Sequence, residues 1–231
     1  MRKHSSSIGI LAIACGLMTN ASIAQAAIET WVSGTGSDAG NCPITAPCRT
    51  FAFAHSQTNN NGAINVLSSG NFGPLTITKP ISIVAQGVEA LINTGANGAG
   101  IIVQTGPAQI VSLRGVTIDM RGTDNHGISF VSGAALHVHH SVIRKATTGI
   151  LFAPASGVRE LTVADSVMAD TGSRGIEVKP SGSGGAKVVL DRVRVENSVS
   201  VGIAFVGNFP PARSPRPCAT AFRPATLTRA F

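Results

Sequence analysis

The sequence contains no tyrosine, one tryptophan (Trp31) and few charges: aromatic residues make up 4% of it, and Asp, Glu, Lys and Arg together 13%. So few aromatics exclude a stacking platform for single-stranded nucleic acid and leave little for a sugar platform of Trp or Tyr. The formal charge of +7 invites a polyanion reading, but its distribution removes the basic face such a reading needs. Six basic residues lie near the ends: Arg2, Lys3, Arg213, Arg216, Arg223 and Arg229. Between Ala27 and Gly207, 12 Lys and Arg face 11 Asp and Glu. No nucleic-acid partner is expected. Also missing is an apolar run of bilayer length, so no integral membrane span is expected once the N-terminal segment is removed. No G-x-S-x-G elbow supports a serine hydrolase. The Gly-rich stretch Gly182–Lys187 lacks phosphate-loop spacing and leads towards a strand, so it reads as a turn, as does Thr58–Gly62.

Residues 1–26 carry a secretion pattern. Met1 to His4 is basic, Ile8 to Met18 is mostly apolar, and Ala24-Gln-Ala26 offers a small-residue cleavage site. The expectation is a signal peptide and a secreted or periplasmic chain beginning near Ala27. Lipid attachment at Cys15 is the rival, but Ala12-Ile-Ala14 makes a poor acylation box. Cys42 and Cys48 close a short loop, and an oxidising compartment favours a disulfide between them.

Repetition dominates what is present. Gly-Ile-x-Val/Phe occurs at Gly100, Gly127, Gly149, Gly175 and Gly202, at spacings of 27, 22, 26 and 27 residues. Between the copies lie strand-like stretches, Ile110–Asp119, Ala135–Arg144, Glu160–Ala169 and Val188–Asn197. Aligned on Leu113, Val138, Val163 and Leu190, they recur every 25, 25 and 27 residues. A unit of this length with short alternating strands and no helix cannot bury its own apolar side, but stacked copies can. Parallel pairing from turn to turn then aligns Ile101, Ile128, Ile150, Ile176 and Ile203 in one inward column. Val103, Phe130, Phe152, Val178 and Phe205 form another. Each leading glycine is expected at a corner where a side chain would obstruct the bend. The chain is therefore all-β: a single-stranded parallel β-helix over residues 63–207. An N-terminal cap over residues 27–62 contains the cysteine loop and a short helix near Thr50–Gln57. Residues 208–231, with five Pro, four Arg and no acid, break the pattern. They are read as a truncated or out-of-frame end of a longer β-helix, the alternative being a Pro-rich tail.

Two stretches carry a family resemblance: "WVSGTGSDAGNCPITAPCRTFAFA" and "GAINVLSSGNFGPLTITKPISIVAQG". Their Val-Ser start, Gly-Ser-Asp turn and Pro-Cys segment before a helix resemble the start of pectin-lyase-like β-helix proteins. So do the Gly-x-Ile-x-Val rung and the Gly-x-Phe-Gly turn that follow. The resemblance spans roughly Thr30 to Gly207. It implies a right-handed coil and contact with polysaccharide, and it carries no catalytic residue over.

Chemistry-bearing candidates come from what the coil brings together. Asp119, Arg121, Arg144, Lys145, Asp170 and Glu196 fall at similar positions on successive turns. Such a cluster offers acid, base and calcium-ligand chemistry if the chain is a polysaccharide lyase. The bland reading is a solvated ladder of alternating charges. His137 and His139, at i and i+2 on one strand face, are candidate metal ligands, with His126 and Asp165 as possible neighbours; two imidazoles alone fall short of a site. No cofactor is expected apart from calcium in the lyase case, and the sequence sets no oligomeric state. The function these features favour is a non-catalytic exported protein contacting polysaccharide. Its alternatives are a truncated or divergent lyase or glycoside hydrolase, and a structural or adhesive surface module.

Overall fold

A computed structural model describes residues 27–93 and 98–207. The signal-like segment 1–26 and the Pro-rich segment 208–231 lie outside the described residues. Of the described residues 59% are strand and 4% helix, and the parallel sheets form a β-solenoid of about 5 turns. No helix among them is long and apolar enough to cross a membrane.

The N-terminal cap comprises β1 (Ala27–Val32) and α1 (Phe51–Gln57), with the cysteine loop between them. Cys42 and Cys48 form the expected disulfide. The loop it closes hydrogen-bonds to β1 through Trp31, whose N–H donates to the Cys42 carbonyl and whose carbonyl accepts from the Cys48 N–H. Thr50 caps α1, its side-chain oxygen accepting from the Phe53 N–H at 3.2 Å. Asp38 ties the loop to that cap by accepting from the N–H groups of Arg49 and Thr50 and from the Thr50 hydroxyl. The helix drives Phe51 onto Phe72, ring centroids 5.0 Å apart.

The solenoid then runs through β2 (Thr58–Val66), β3 (Gly70–Asn71), β4 (Leu75–Ile77), β5 (Ile81–Val84), β6 (Ala90–Asn93) and β7 (Ile101–Gln104). It continues through β8 (Ile110–Arg114), β9 (Val116–Ser132), β10 (Ala135–His139) and β11 (Val142–Phe152). β12 (Ser156–Ala164), β13 (Val167–Ala169), β14 (Arg174–Val178), β15 (Ser183–Asp191), β16 (Arg194–Glu196) and β17 (Val201–Phe205) complete it. The strands stack into three faces. The first is β1-β2-β5-β8-β10-β12-β15; the second contains β3, β6, β13 and β16, and the third β4, β7, β14 and β17. β9 and β11 are long enough to serve both the second and third faces.

Register follows the repeat. Ile101, Ile128, Ile150, Ile176 and Ile203 are aligned neighbours, as are Val103, Phe130, Phe152, Val178 and Phe205. Ile64, Ile83, Leu113, Val138, Val163 and Leu190 form the corresponding column on the first face. Phe130 and Phe152 stack at 4.4 Å. These columns are fully buried through Ile176 and Val178, whereas Ile203 and Phe205 on the last described strand are 37% and 54% exposed.

Three expectations need correction. The stretches read as single strand-like elements, such as Ile110–Asp119, each bend from the first face to the second. Gly115, His140, Asp165 and Arg192 make these bends at φ between 48° and 75°. Thr58–Gly62 belongs to β2 rather than to a turn, and Asn61 (φ 60°) accommodates the irregularity within it. Gly182 does turn at φ 55°, but β15 already begins at Ser183.

The leading glycines Gly127, Gly149, Gly175 and Gly202 lie within strands rather than at the expected corners, and for the first three the reason for glycine is steric. A Cβ on Gly127 would meet the Gly149 carbonyl oxygen at 2.6 Å, one on Gly149 the Gly175 oxygen at 2.4 Å, and one on Gly175 the Gly202 oxygen at 2.7 Å. Each turn thus rests on the next with no space for a methyl group. On Gly202 the nearest atom would be 3.4 Å away. Gly127→Ala should therefore cost about 1–3 kcal/mol of stability, while Gly202→Ala should change it by no more than about 0.5 kcal/mol. Urea-denaturation midpoints compare the two, and equal losses would contradict the steric account.

The cap also contains a pH-sensitive contact. His55 is buried and accepts a hydrogen bond from the Thr78 N–H at Nε2 (3.3 Å). Burial, and secondarily the Lys79 charge, push its pKa from 6.5 to about 4. The unfolded chain then binds more protons between these values, so the neutral imidazole's contribution is complete above about pH 6.5 and is lost as pH falls towards 4. The full effect is on the order of 3 kcal/mol. Melting temperature should drop across this window, and His55→Gln, which retains an acceptor, should flatten the slope; an unaltered slope would remove His55 as its source.

Candidate functional site

The second corner, between the second and third faces, collects much of the sequence-predicted charge. Arg121, Lys145, Asp170 and Asn197 occupy left-handed backbone positions there, with φ between 50° and 55°. Before this corner, Asn93, Asp119, Arg144, Ala169 and Glu196 lie in register on adjacent strands, about 4.8 Å apart from strand to strand. Asp119 is the centre of this row. Its Oδ1 accepts from the Arg121 N–H at 3.0 Å, its Oδ2 from Arg144 Nε at 2.9 Å, and Lys145 Nζ lies 3.9 Å away. Burial pushes the Asp119 carboxyl up, but the Arg121 N–H, the Arg144 guanidinium and Lys145 together hold it below the usual carboxylate range.

The structure thus joins Asp119, Arg144 and Lys145, and sends Asp170 and Glu196 elsewhere. Asp170 accepts from Asn197 Nδ2 at 3.1 Å, Glu196 pairs with Arg194, and Ala169 interrupts the row between Arg144 and Glu196. This donor set does not fit calcium, which takes six to eight oxygens. Here one carboxylate is enclosed by cations.

The first corner repeats the arrangement. Asp165 accepts from Arg192 through both oxygens, with Nη2 at 3.0 Å, and His140 Nε2 stands 3.8 Å away. The Arg192 hydrogen bond lowers the Asp165 pKa. His137 and His139 do share the outward side of β10, ring centroids 6.3 Å apart and edge-on. Burial lowers the His139 pKa, and His137, Arg114 and His140 add to the effect. His126 lies on the third face, aligned with Thr148 and Arg174, and Asp165 is engaged by Arg192. Among the described residues no group of three His, Cys, Asp or Glu is placed to hold a metal ion.

The third face adds a pairing that the sequence reading missed. Glu177 occupies an outward strand position yet is 7% exposed, and Arg174 Nη1 meets its Oε2 at 3.1 Å. His126 Nδ1 and Arg174 Nε are buried there without hydrogen-bond partners. Burial lowers the His126 pKa against the opposing pull of Glu177.

Two clefts flank these faces. One of about 570 Å³ opens at the first corner, lined by Ser69, Gln86, Glu89, Arg114, Thr117 and His140. Arg114 is exposed there and forms no ion pair with the described residues. The other, about 470 Å³, lies at the third corner, where the third face returns to the first, and includes Gln104, Thr105, Val131, Ser132, Pro154 and Arg159. Neither Arg114 nor Arg159 stands out in the sequence: Arg114 ends β8 and Arg159 lies within β12, and only the stacking of turns gives each a cleft.

No protein-family model, curated protein or solved structure matches the chain.

The Asp119 pairing has a direct consequence. Arg144→Gln should raise the Asp119 pKa towards or above its ordinary value, because burial then meets less opposition, and should cost about 0.5–1 kcal/mol at neutral pH. Asp119 now stabilises the fold above its unfolded pKa, a contribution lost as pH falls through the lower folded value. The variant should therefore lose less stability on acidification. A carboxyl NMR titration checks the first statement, and an unmoved Asp119 would show that Arg144 does not hold it.

Proposed function

We propose that the chain is an exported, pectin-lyase-like solenoid that binds polysaccharide at the cell envelope or outside the cell without cleaving it. The single observation that carries the non-catalytic part is that cations close several of the carboxylates on the strand faces. Asp119 is enclosed by Arg144 and Lys145, Asp165 by Arg192, Glu177 by Arg174 and Glu160 by Lys187. Bond cleavage in a glycan needs a carboxylic acid with a raised pKa or a free base within reach of the scissile bond. The two carboxyls with displaced pKa values, Asp119 and Asp165, move the other way. Such ladders belong to a rigid surface.

The binding part is supported by the shape. Parallel faces repeat polar side chains at about 4.8 Å along the solenoid axis, and open clefts of mixed polar and apolar lining follow its corners. A long, repetitive ligand matches such a surface better than a compact one. Export is supported by the N-terminal sequence pattern and by the Cys42–Cys48 disulfide.

The test uses the secreted chain, with a panel of acidic and neutral polysaccharides, with and without calcium. Affinity electrophoresis should show retardation by at least one polymer, independent of calcium, and mass spectrometry should find no shortened or unsaturated product. Product that disappears in Asp119→Ala or Arg144→Ala would make the chain an enzyme. Absence of retardation by every polymer would overturn the binding reading.

A further inference from the structure

The two ends of the solenoid differ. At the N-terminal end the cysteine loop takes up the outer edge of β1. The Trp31 N–H donates to the Cys42 carbonyl, the Cys48 N–H to the Trp31 carbonyl, and the Ser33 N–H to the Cys48 carbonyl. At the other end β15, β16 and β17 each pair with a single described strand, β12, β13 and β14 in turn. The inward side chains follow the same asymmetry. Leu161, Val163, Met168 and Ile176 of the preceding turn are fully buried, whereas Val188, Leu190 and Val195 are only partly buried and Ile203 is 37% exposed. Val189, Val199 and Val201 add exposed apolar surface beside them. A free strand edge over a half-covered core is a template for another chain.

β16 shows what that chain must match. Backbone groups along a strand alternate sides. The Arg194 N–H donates to the Ser166 carbonyl at 3.0 Å, and the Glu196 carbonyl accepts from the Asp170 N–H at 3.1 Å, both on the side of the preceding turn. Val195, between them, therefore presents its N–H and carbonyl to the outer edge. Arg194 and Glu196 flank it on the outward surface and pair with each other. Arg-Val-Glu is thus its own complement when two copies run antiparallel. Val195 then stands opposite Val195, and each Arg194 opposite a Glu196.

We propose that a second copy of this chain occupies this end, the two copies joining tail to tail about a two-fold axis at Val195. The two Val195 residues exchange both backbone hydrogen bonds, and each Arg194 meets the other copy's Glu196 at cross-strand distance. The same axis exchanges the remaining two faces, so β15 of each copy lies antiparallel to β17 of the other. β17 carries no charge to oppose Lys187 or Asp191 of β15. Val188, Leu190 and Ile203 then close the core between the copies. Such an interface is isologous and stops at two. Head-to-tail growth would need the β1 edge that the cysteine loop occupies. Residues 208–231 match the free edge less well, since their five prolines supply no N–H to a ladder.

Sedimentation velocity of the full secreted chain over a dilution series provides the test, and it should show a reversible monomer–dimer equilibrium. Arg194→Glu puts two glutamates on β16, and Glu196→Arg puts two arginines there. Each variant alone should therefore dimerise roughly 10-fold more weakly, because like charges face each other twice. Mixed in equal amounts, the two should recover dimer close to the parent level, detected as the mixed species by native mass spectrometry. That recovery also shows both variants to be folded, as expected when only an exposed ion pair is broken. A chain that stays monomeric at every concentration would overturn the proposal and leave this end to residues 208–231 or to another protein. Species larger than a dimer, variants that dimerise like the parent, or a mixture that fails to recover would overturn it as well. None of these outcomes bears on polysaccharide binding, which the affinity electrophoresis decides separately.

Discussion

Everything in this molecule depends on how closely one turn approaches the next at the leading glycines, which lie within the strands of the third face. At Gly127, Gly149 and Gly175 a Cβ would sit 2.4–2.7 Å from the carbonyl oxygen of the following turn's glycine, a distance at which atoms repel. With hydrogen alone in that position, the backbones close to strand spacing. The isoleucine and valine/phenylalanine columns then stack without gaps, and Ile150, Phe152, Ile176 and Val178 are fully buried. The core is one-dimensional: each inward side chain is covered by its counterparts above and below. On the last described strand, which pairs with β14 alone among the described strands, Ile203 and Phe205 are partly exposed.

Close stacking also governs the electrostatics. Side chains in register on adjacent strands stand near enough for ion pairing, so the residues that alternate in charge along the coil neutralise one another. Asp119 with Arg144, Asp165 with Arg192 and Glu160 with Lys187 each link one turn to the next. Such exposed or half-exposed pairs contribute little stability individually. Their larger effect is chemical, because they turn potential acids and metal ligands into settled ion pairs. Among the described cations that form no ion pair, Arg114 and Arg159 line clefts at corners.

Much of the architecture was legible from the repeat. A Gly-Ile-x-Val/Phe signature at near-constant spacing predicts parallel stacking, because only in-register turns place like residues on like. Both inward columns, the short helix after the cysteine loop and the Cys42–Cys48 disulfide correspond to residues singled out in the sequence. The corners were harder to read. A stretch such as Ala135–Arg144 alternates like one strand, but His140 at φ 52° turns it from one face to the next. Alternation records inside against outside, and both faces preserve that alternation, so the bend leaves no mark in it.

The sequence by itself determined the period, the inward columns and the position of the cap, because these follow from the apolar alternation of each unit and from glycine's missing side chain. Only the tertiary structure decided which charges meet. Asp119 reaches Arg144 while Asp170 turns to Asn197, Glu177 is buried beside Arg174, and Arg159 bridges two carbonyls over a cleft. The physical reason lies in the corners. The register pairs Asp119 with Arg144, and then His126 with Thr148 across a longer connection on one strand than on the other. Such differences in connection length shift side chains from one turn to the next. A pairing that depends on these shifts and on the reach of long side chains is a property of the stacked turns, and no single repeat contains it.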